Sequence, residues 1–153
     1  MVRAEAAERF TGQPRGTLIS TLLKPWFEPT LVHRFDRADF APSPRVGVVM
    51  LRLRKRGPPL VPAADAGTYR DFVVSVFAGR HGSVRNSLRD LVGWQPARRV
   101  TAGLGLDPAA TPSEVSFACW LDLFELFKAA AANRTALRVG RTPGPLSSVC
   151  RRH

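Results

Sequence analysis

Apolar and polar positions change rhythm once along this chain. Before about residue 60 the most regular stretches alternate. After it, apolar residues recur at every third or fourth place. Residues 2–10 fit a short helix, broken by Gly12, Pro14 and Gly16. Thr17 to Lys24 fits a second, stopped by Pro25, which cannot continue a helix. Trp26 to Asp36 alternates loosely and predicts a strand. The segment 47–55 (Gly-Val-Val-Met-Leu-Arg-Leu-Arg-Lys) predicts another, with Leu51 and Leu53 set against Arg52 and Arg54. Gly57-Pro58-Pro59 and Pro62 form a turn and a linker.

In the second half, Tyr69, Phe72, Val73, Val76 and Phe77 fall at helical spacing over 68–78, and Gly79 ends that helix. Ser83 can cap the next, with Val84, Leu88, Leu91 and Val92 as its apolar face. Residues 97–104 fit a third short helix. Thr111-Pro-Ser-Glu114 reads as a start signal: a capping hydroxyl, proline at the first position, and a glutamate three residues on. The helix it predicts carries Trp120, Leu121, Leu123, Phe124 and Phe127 and ends near Ala132. The tail from Gly140 is rich in Pro, Gly and Arg, a composition that suits disorder. The expectation is an α/β chain: the end of a sheet over 1–63, a small all-α subdomain over 64–133, and a disordered tail over 134–153. No internal repeat stands out.

Composition adds a partner. The net charge is +11, and 20 of the 23 basic residues are arginine. Arginine's planar fork suits phosphates and stacking on bases, so the excess points to nucleic acid. A GC-rich coding bias would enrich arginine as well. Cys119 and Cys150 are too far apart for a disulfide framework or a metal cluster, and Cys119 reads as a buried thiol. His33, His81 and His153 have no metal-ligand spacing. The start, Met1 to Arg9, carries charges throughout, unlike a signal peptide. No apolar run approaches the ~20 residues of a membrane span. A cytoplasmic monomer with no membrane contact is expected.

Phe40-Ala-Pro-Ser-Pro-Arg-Val46 is the most informative motif. Its two prolines fix φ and hold Phe40 on a stiff extended stem at the sheet edge, beside the basic strand end. Around it, in order, stand Val2-Arg-Ala-Glu-Ala-Ala-Glu-Arg-Phe10, Gly16-Thr-Leu18 and Pro25-Trp-Phe-Glu28. Tyr69-Arg-Asp-Phe72, Gly79-Arg80, Thr111-Pro-Ser-Glu114 and Trp120-Leu-Asp-Leu-Phe124 follow. This ordered set, over about residues 2–128, resembles the C-terminal half of the rRNA adenine N6-methyltransferases of macrolide resistance, the Erm family. KsgA-type dimethyladenosine transferases share the pattern.

The resemblance implies a Rossmann-like sheet, S-adenosylmethionine as methyl donor, and an adenine of 23S rRNA as acceptor. In that family the donor site is a glycine-rich loop, and the catalytic element is an Asn-x-Pro-aromatic run. Neither is found here. Gly103-Leu-Gly105 reads as a turn, and neither Asn86 nor Asn133 is followed by x-Pro-aromatic. The sequence therefore resembles a member without its N-terminal half, with no catalytic and no cofactor-binding residues of its own. An inactive, poorly stable chain is expected, because positioning groups are what such catalysis uses.

The resemblance implies that Phe40 borders the pocket for the flipped target base; a loop-anchoring core Phe is the other reading. Arg45 keeps the family's basic habit, whereas Gly47 stands where relatives often have Asp or Asn. Arg52, Arg54, Lys55 and Arg56 fit a phosphate patch or a solvated strand face. Arg80, His81, Arg85 and Arg89 fit backbone contacts with rRNA or plain solvation. Arg98-Arg99 is a weaker pair of the same kind. Trp26, Trp94 and Trp120 read as core. Two other functions stay open: a non-catalytic basic RNA-binding protein, and a pseudouridine synthase. The latter rests on His33-Arg-Phe-Asp-Arg37, but the motif's continuation is missing.

Overall fold

The segment with the clearest alternation becomes the middle of the sheet. In the computed structural model, which describes the backbone of residues 1–139 and side chains through residue 133, β3 (Val48–Lys55) lies between β1 (Val2–Arg3) and β2 (Phe27–Phe35). Both pairings are antiparallel, with Val2 opposite Val49 and Leu31 opposite Leu51. A bulge at Val32 shifts the register between Leu31 and His33. It puts Arg34 on the same face as Leu31, and His33 and Phe35 on the other.

One face of this sheet is covered by α1 (Ala4–Thr11), against which Val49 is buried. Gly12 then takes φ +67, and its N–H bonds the Glu8 carbonyl to close the helix. α2 (Leu18–Leu23) is capped by Thr17, whose hydroxyl accepts from the Ser20 N–H. At its other end the Thr21 carbonyl would meet an N–H from residue 25, but Pro25 has none. Tyr69 supplies the donor instead: its Oη–H bonds Thr21 O at 2.9 Å, fully buried. A gap made by a proline in the first half is thus filled from the second.

The helical half follows a 3-10 turn at Ala63–Asp65. It comprises α3 (Ala66–Phe77), α4 (Val84–Val92), α5 (Trp94–Gly103) and α6 (Phe117–Val139). Its core is Tyr69, Phe72, Val73 and Val76 from α3, Val84 and Leu88 from α4, and Trp120, Leu123 and Phe124 from α6. Trp120 stacks on Phe77 (5.4 Å, 11°) and Tyr69 meets Phe124 edge-on (5.1 Å). Side chains buried this fully each contribute about 1.5–3 kcal/mol. Trp26 packs edge-on against Tyr69 at 5.8 Å, the Gly16 N–H bonds Ser113 O, and Lys128 Nζ reaches Asp65 at 2.8 Å. Among the described residues no helix is long and apolar enough to cross a membrane.

Several sequence expectations need correction. Val2 and Arg3 pair with β3 instead of joining the first helix. α5 begins at Trp94, three residues before the predicted 97. Thr111-Pro-Ser-Glu114 does form its reciprocal cap, with Glu114 Oε2 2.9 Å from both Thr111 N and Oγ1. It caps only a 3-10 turn (Pro112–Glu114), because Val115 is extended, and the long helix starts at Phe117. That helix runs past Ala132 to Val139. Trp94 is not core: 46% of its surface is exposed. Cys119 is half-buried. Cys150, His153 and the tail from Gly140 lie outside the described residues.

Candidate functional site

Strand pleating decides what each side of the sheet offers. Val49, Leu51 and Leu31 face α1. The opposite face carries Val48, Met50, Arg52 and Arg54 from β3 and Glu28, Thr30, His33 and Phe35 from β2. Met50, His33, Arg52 and Arg54 are exposed there. Past the end of β2, a 3-10 turn at Arg37–Asp39 leads into the proline connector. Phe40 closes back onto the strand, half-buried, its ring edge-on to Phe35 at 5.6 Å. Phe35 in turn meets His33 at 4.7 Å. The three rings make a row on the side of the sheet away from α1. Phe40 thus anchors the connector on β2 and keeps part of its surface exposed.

The basic strand end is divided by one carboxylate. Glu28 lies directly opposite Arg54 in the register, and its Oε2 accepts from Arg54 Nε at 2.9 Å and from Arg54 Nη2. Its Oε1 takes Arg56 Nη1 at 2.7 Å, while Arg56 Nε bonds the Lys24 carbonyl. The hydrogen bond from Arg54, then the charges of Arg54 and Arg56, hold the Glu28 carboxyl below its ordinary range. Arg54 and Arg56 are thus partly neutralised inside the protein. Arg52 and Lys55 have no such partner among the described residues and are exposed, Lys55 toward the α1 side. Arg45 is exposed within the connector.

The second basic group sits where α3 hands over to α4. Arg80 and His81 lie within that turn, and Arg85 and Arg89 follow on one side of α4, four residues apart. Asp90 occupies part of this group, 3.3 Å from Arg89 Nε and 3.4 Å from His81 Nε2. Arg85 pairs with no carboxylate among the described residues; its guanidinium lies over the Trp94 ring at 5.6 Å. Arg98 and Arg99 follow on α5. Two features escaped the sequence: Glu28 as counter-charge, visible only once the strand register is known, and the exposed Trp94. An aromatic next to Gly93 ahead of a basic helix was the available signal for the latter.

A groove of about 810 Å³ runs between α1 and β2, lined by Glu8, Lys24, Pro29, Leu31 and Arg34 among others. Burial pushes the Lys24 ammonium below its usual range.

Against known proteins, the family model for "Ribosomal RNA adenine dimethylase" matches residues 1–129. The chain is 30% identical over 148 residues to mycinamicin-resistance protein MyrB of Micromonospora griseorubida, covering 95% of this chain and 44% of that protein. It is 33% identical over 129 residues to an rRNA adenine N-6-methyltransferase of Saccharopolyspora erythraea, covering 82% and 33%. The crystal structure of the 23S rRNA methyltransferase ErmE superposes with a TM-score of 0.74 at 29% identity, covering 82% of this chain and 52% of that one. The chain thus spans about half, or less, of the length of the relatives it matches. The match runs through both the sheet and the helices. It leaves no support for the pseudouridine synthase reading of His33 to Arg37.

Proposed function

The chain belongs to the ribosomal RNA adenine dimethylase family, and from that premise we propose that it carries the RNA-facing part of a 23S rRNA adenine N6-methyltransferase of the macrolide–lincosamide–streptogramin resistance type. One observation carries this reading. A single family match takes in the β-sheet, the Phe40 connector and the helices as far as α6, in order. The three strands are then the closing portion of a Rossmann-like, S-adenosylmethionine-dependent sheet, with residues 1–63 as its end and 64–133 as the helical subdomain. In support, β3 is antiparallel to both neighbours, and β1 pairs on one side only. In this reading Phe40 borders the pocket of the target base. Arg45, Arg52, Lys55, Arg80, Arg85 and Arg89 meet the rRNA backbone, and Arg54 and Arg56 do so to the extent that Glu28 releases them. The protein works as a monomer in the cytoplasm, without a membrane.

S-adenosylmethionine supplies the methyl group in the intact family. The described residues of this chain do not fit that donor. The groove between α1 and β2 sets two cations, Lys24 and Arg34, against one carboxylate, Glu8, so a sulfonium cation would meet a net positive lining there. The sequence also holds neither a glycine-rich loop between a strand and a helix nor an Asn-x-Pro-aromatic run. Nothing among these residues would keep a methyl group in line with an adenine amine, and such alignment is what the reaction needs. The chain's own contribution is to grip and orient RNA. Incubated with 23S rRNA and methyl-labelled S-adenosylmethionine, the purified chain leaves the rRNA unlabelled. N6-methyladenine formed above the protein-free background overturns this division of labour.

A further inference from the structure

The surface between α4 and α5 holds an arrangement that phosphate binding alone does not explain. Gly93 separates the two helices with φ +94, a backbone conformation that side-chain-bearing residues rarely adopt. The turn places Trp94 at the first position of α5, beside Arg85 of α4. The Arg85 guanidinium lies over the indole at 5.6 Å. Its Nε is buried with no hydrogen-bond partner, and no carboxylate among the described residues pairs with it. The ring still exposes 46% of its surface. Arg98 lies one helical turn beyond Trp94, so it shares that side of α5, and Arg89 lies one turn beyond Arg85 on α4. A flat ring held by a cation that no carboxylate pairs with, with Arg98 and the Asp90-paired Arg89 on the adjoining helix faces, suits a ligand that is both planar and anionic.

We propose that Arg85 and Trp94 form a stacking platform for one unpaired nucleotide of the bound RNA. The base lies on the open part of the Trp94 ring, and the arginines on the adjoining helix faces meet the flanking phosphates. This rests on the RNA-binding reading above and goes beyond it by naming a single-stranded contact, separate from Phe40 and the target-base pocket. Base–aromatic stacking tolerates any sequence, because every base offers a π-face. The platform would therefore hold a looped-out nucleotide near the target without choosing its identity.

Binding of the full chain to a short polyadenylate strand and to an RNA duplex of the same length tests this. The readouts are fluorescence anisotropy and quenching of tryptophan emission. Trp94→Ala is expected to weaken single-strand binding by about 5- to 150-fold, the range for losing one stacked base. Its duplex affinity stays within about twofold. Trp94→Phe keeps most of the single-strand affinity but loses the quenching. Because Trp94 is exposed, an unchanged circular dichroism spectrum is expected for both variants. An equal loss on strand and duplex, or no loss on either, overturns the platform and leaves the RNA-binding reading standing. Failure of the unaltered chain to bind either RNA overturns both.

Discussion

Glu28 sets how much of the basic strand end a phosphate can use. It holds Arg54 and Arg56 through separate carboxylate oxygens. Replacing it by Gln leaves both guanidiniums without a counter-ion, so RNA affinity at low salt should rise. The dependence of affinity on salt should steepen as well, by about 0.7–0.9 in log–log slope for each additional phosphate neutralised. A salt titration of Glu28→Gln against the unaltered chain checks this. The Glu28 carboxyl is held below its ordinary value. Whatever stability the cluster adds is therefore complete above the usual glutamate range and lost as pH falls through the lowered value.

Tyr69 carries a second residue-scale prediction. Its hydroxyl satisfies the Thr21 carbonyl that Pro25 leaves without a donor, and burial raises its pKa well above the usual tyrosine value. Tyr69→Phe strands that carbonyl in the core and should cost about 1–3 kcal/mol in urea denaturation. The sign with pH follows. A raised pKa gives stability that is complete below about pH 10 and declines as pH rises above it, because only the unfolded chain ionises there. The Tyr69→Phe variant should show a shallower alkaline decline. Neither Glu28 nor Tyr69 announces these roles in the sequence, since each depends on a partner 26 or 48 residues away.

Elements were legible where their own periodicity sufficed. The alternation of 47–55 located β3 to within a residue, and the apolar spacing of 68–78 located α3. The misses share a cause: long-range pairing or a local bend outweighed the local signal. β1 exists only because Val48 and Val49 offer it a partner. The Thr111–Glu114 box closed as its residues dictate, yet an extended Val115 diverted it from the long helix. The α3–α4 corner gives a test at this scale. A Cβ on Gly79 would overlap Ser87 Oγ and lie 3.2 Å from Val76 O. Ser87 cannot easily yield, because it is buried and its hydroxyl sits 3.2 Å from Ser83 O and 3.3 Å from Val76 O. Gly79→Ala should therefore destabilise by about 1–3 kcal/mol. Thermal denaturation should show a drop in Tm of about 2–4 °C for each kcal/mol.

At the scale of the whole molecule, the charge and the family match point the same way, and the sheet shows where the chain is most vulnerable. Met50, Leu53 and Val32 are exposed apolar side chains on a sheet of three strands. Such a surface favours association, and it supports the expectation of a marginally stable chain. Net charge pointed to a nucleic-acid partner from composition alone, but not to which one, because phosphate attraction is blind to sequence. The two aromatics proposed above to meet unpaired bases, Phe40 on its proline stem and Trp94 under Arg85, depend on geometry that composition does not carry.

Competition binding at physiological salt is the most direct test. A labelled 23S rRNA hairpin with its target adenine in the loop is displaced either by itself or by a scrambled hairpin of equal length. An RNA-facing part of a 23S rRNA methyltransferase should prefer its own hairpin several-fold, and the preference should survive as salt is raised. Equal displacement by both hairpins at every salt concentration would instead describe a basic protein that recognises phosphate alone, and would contradict the account.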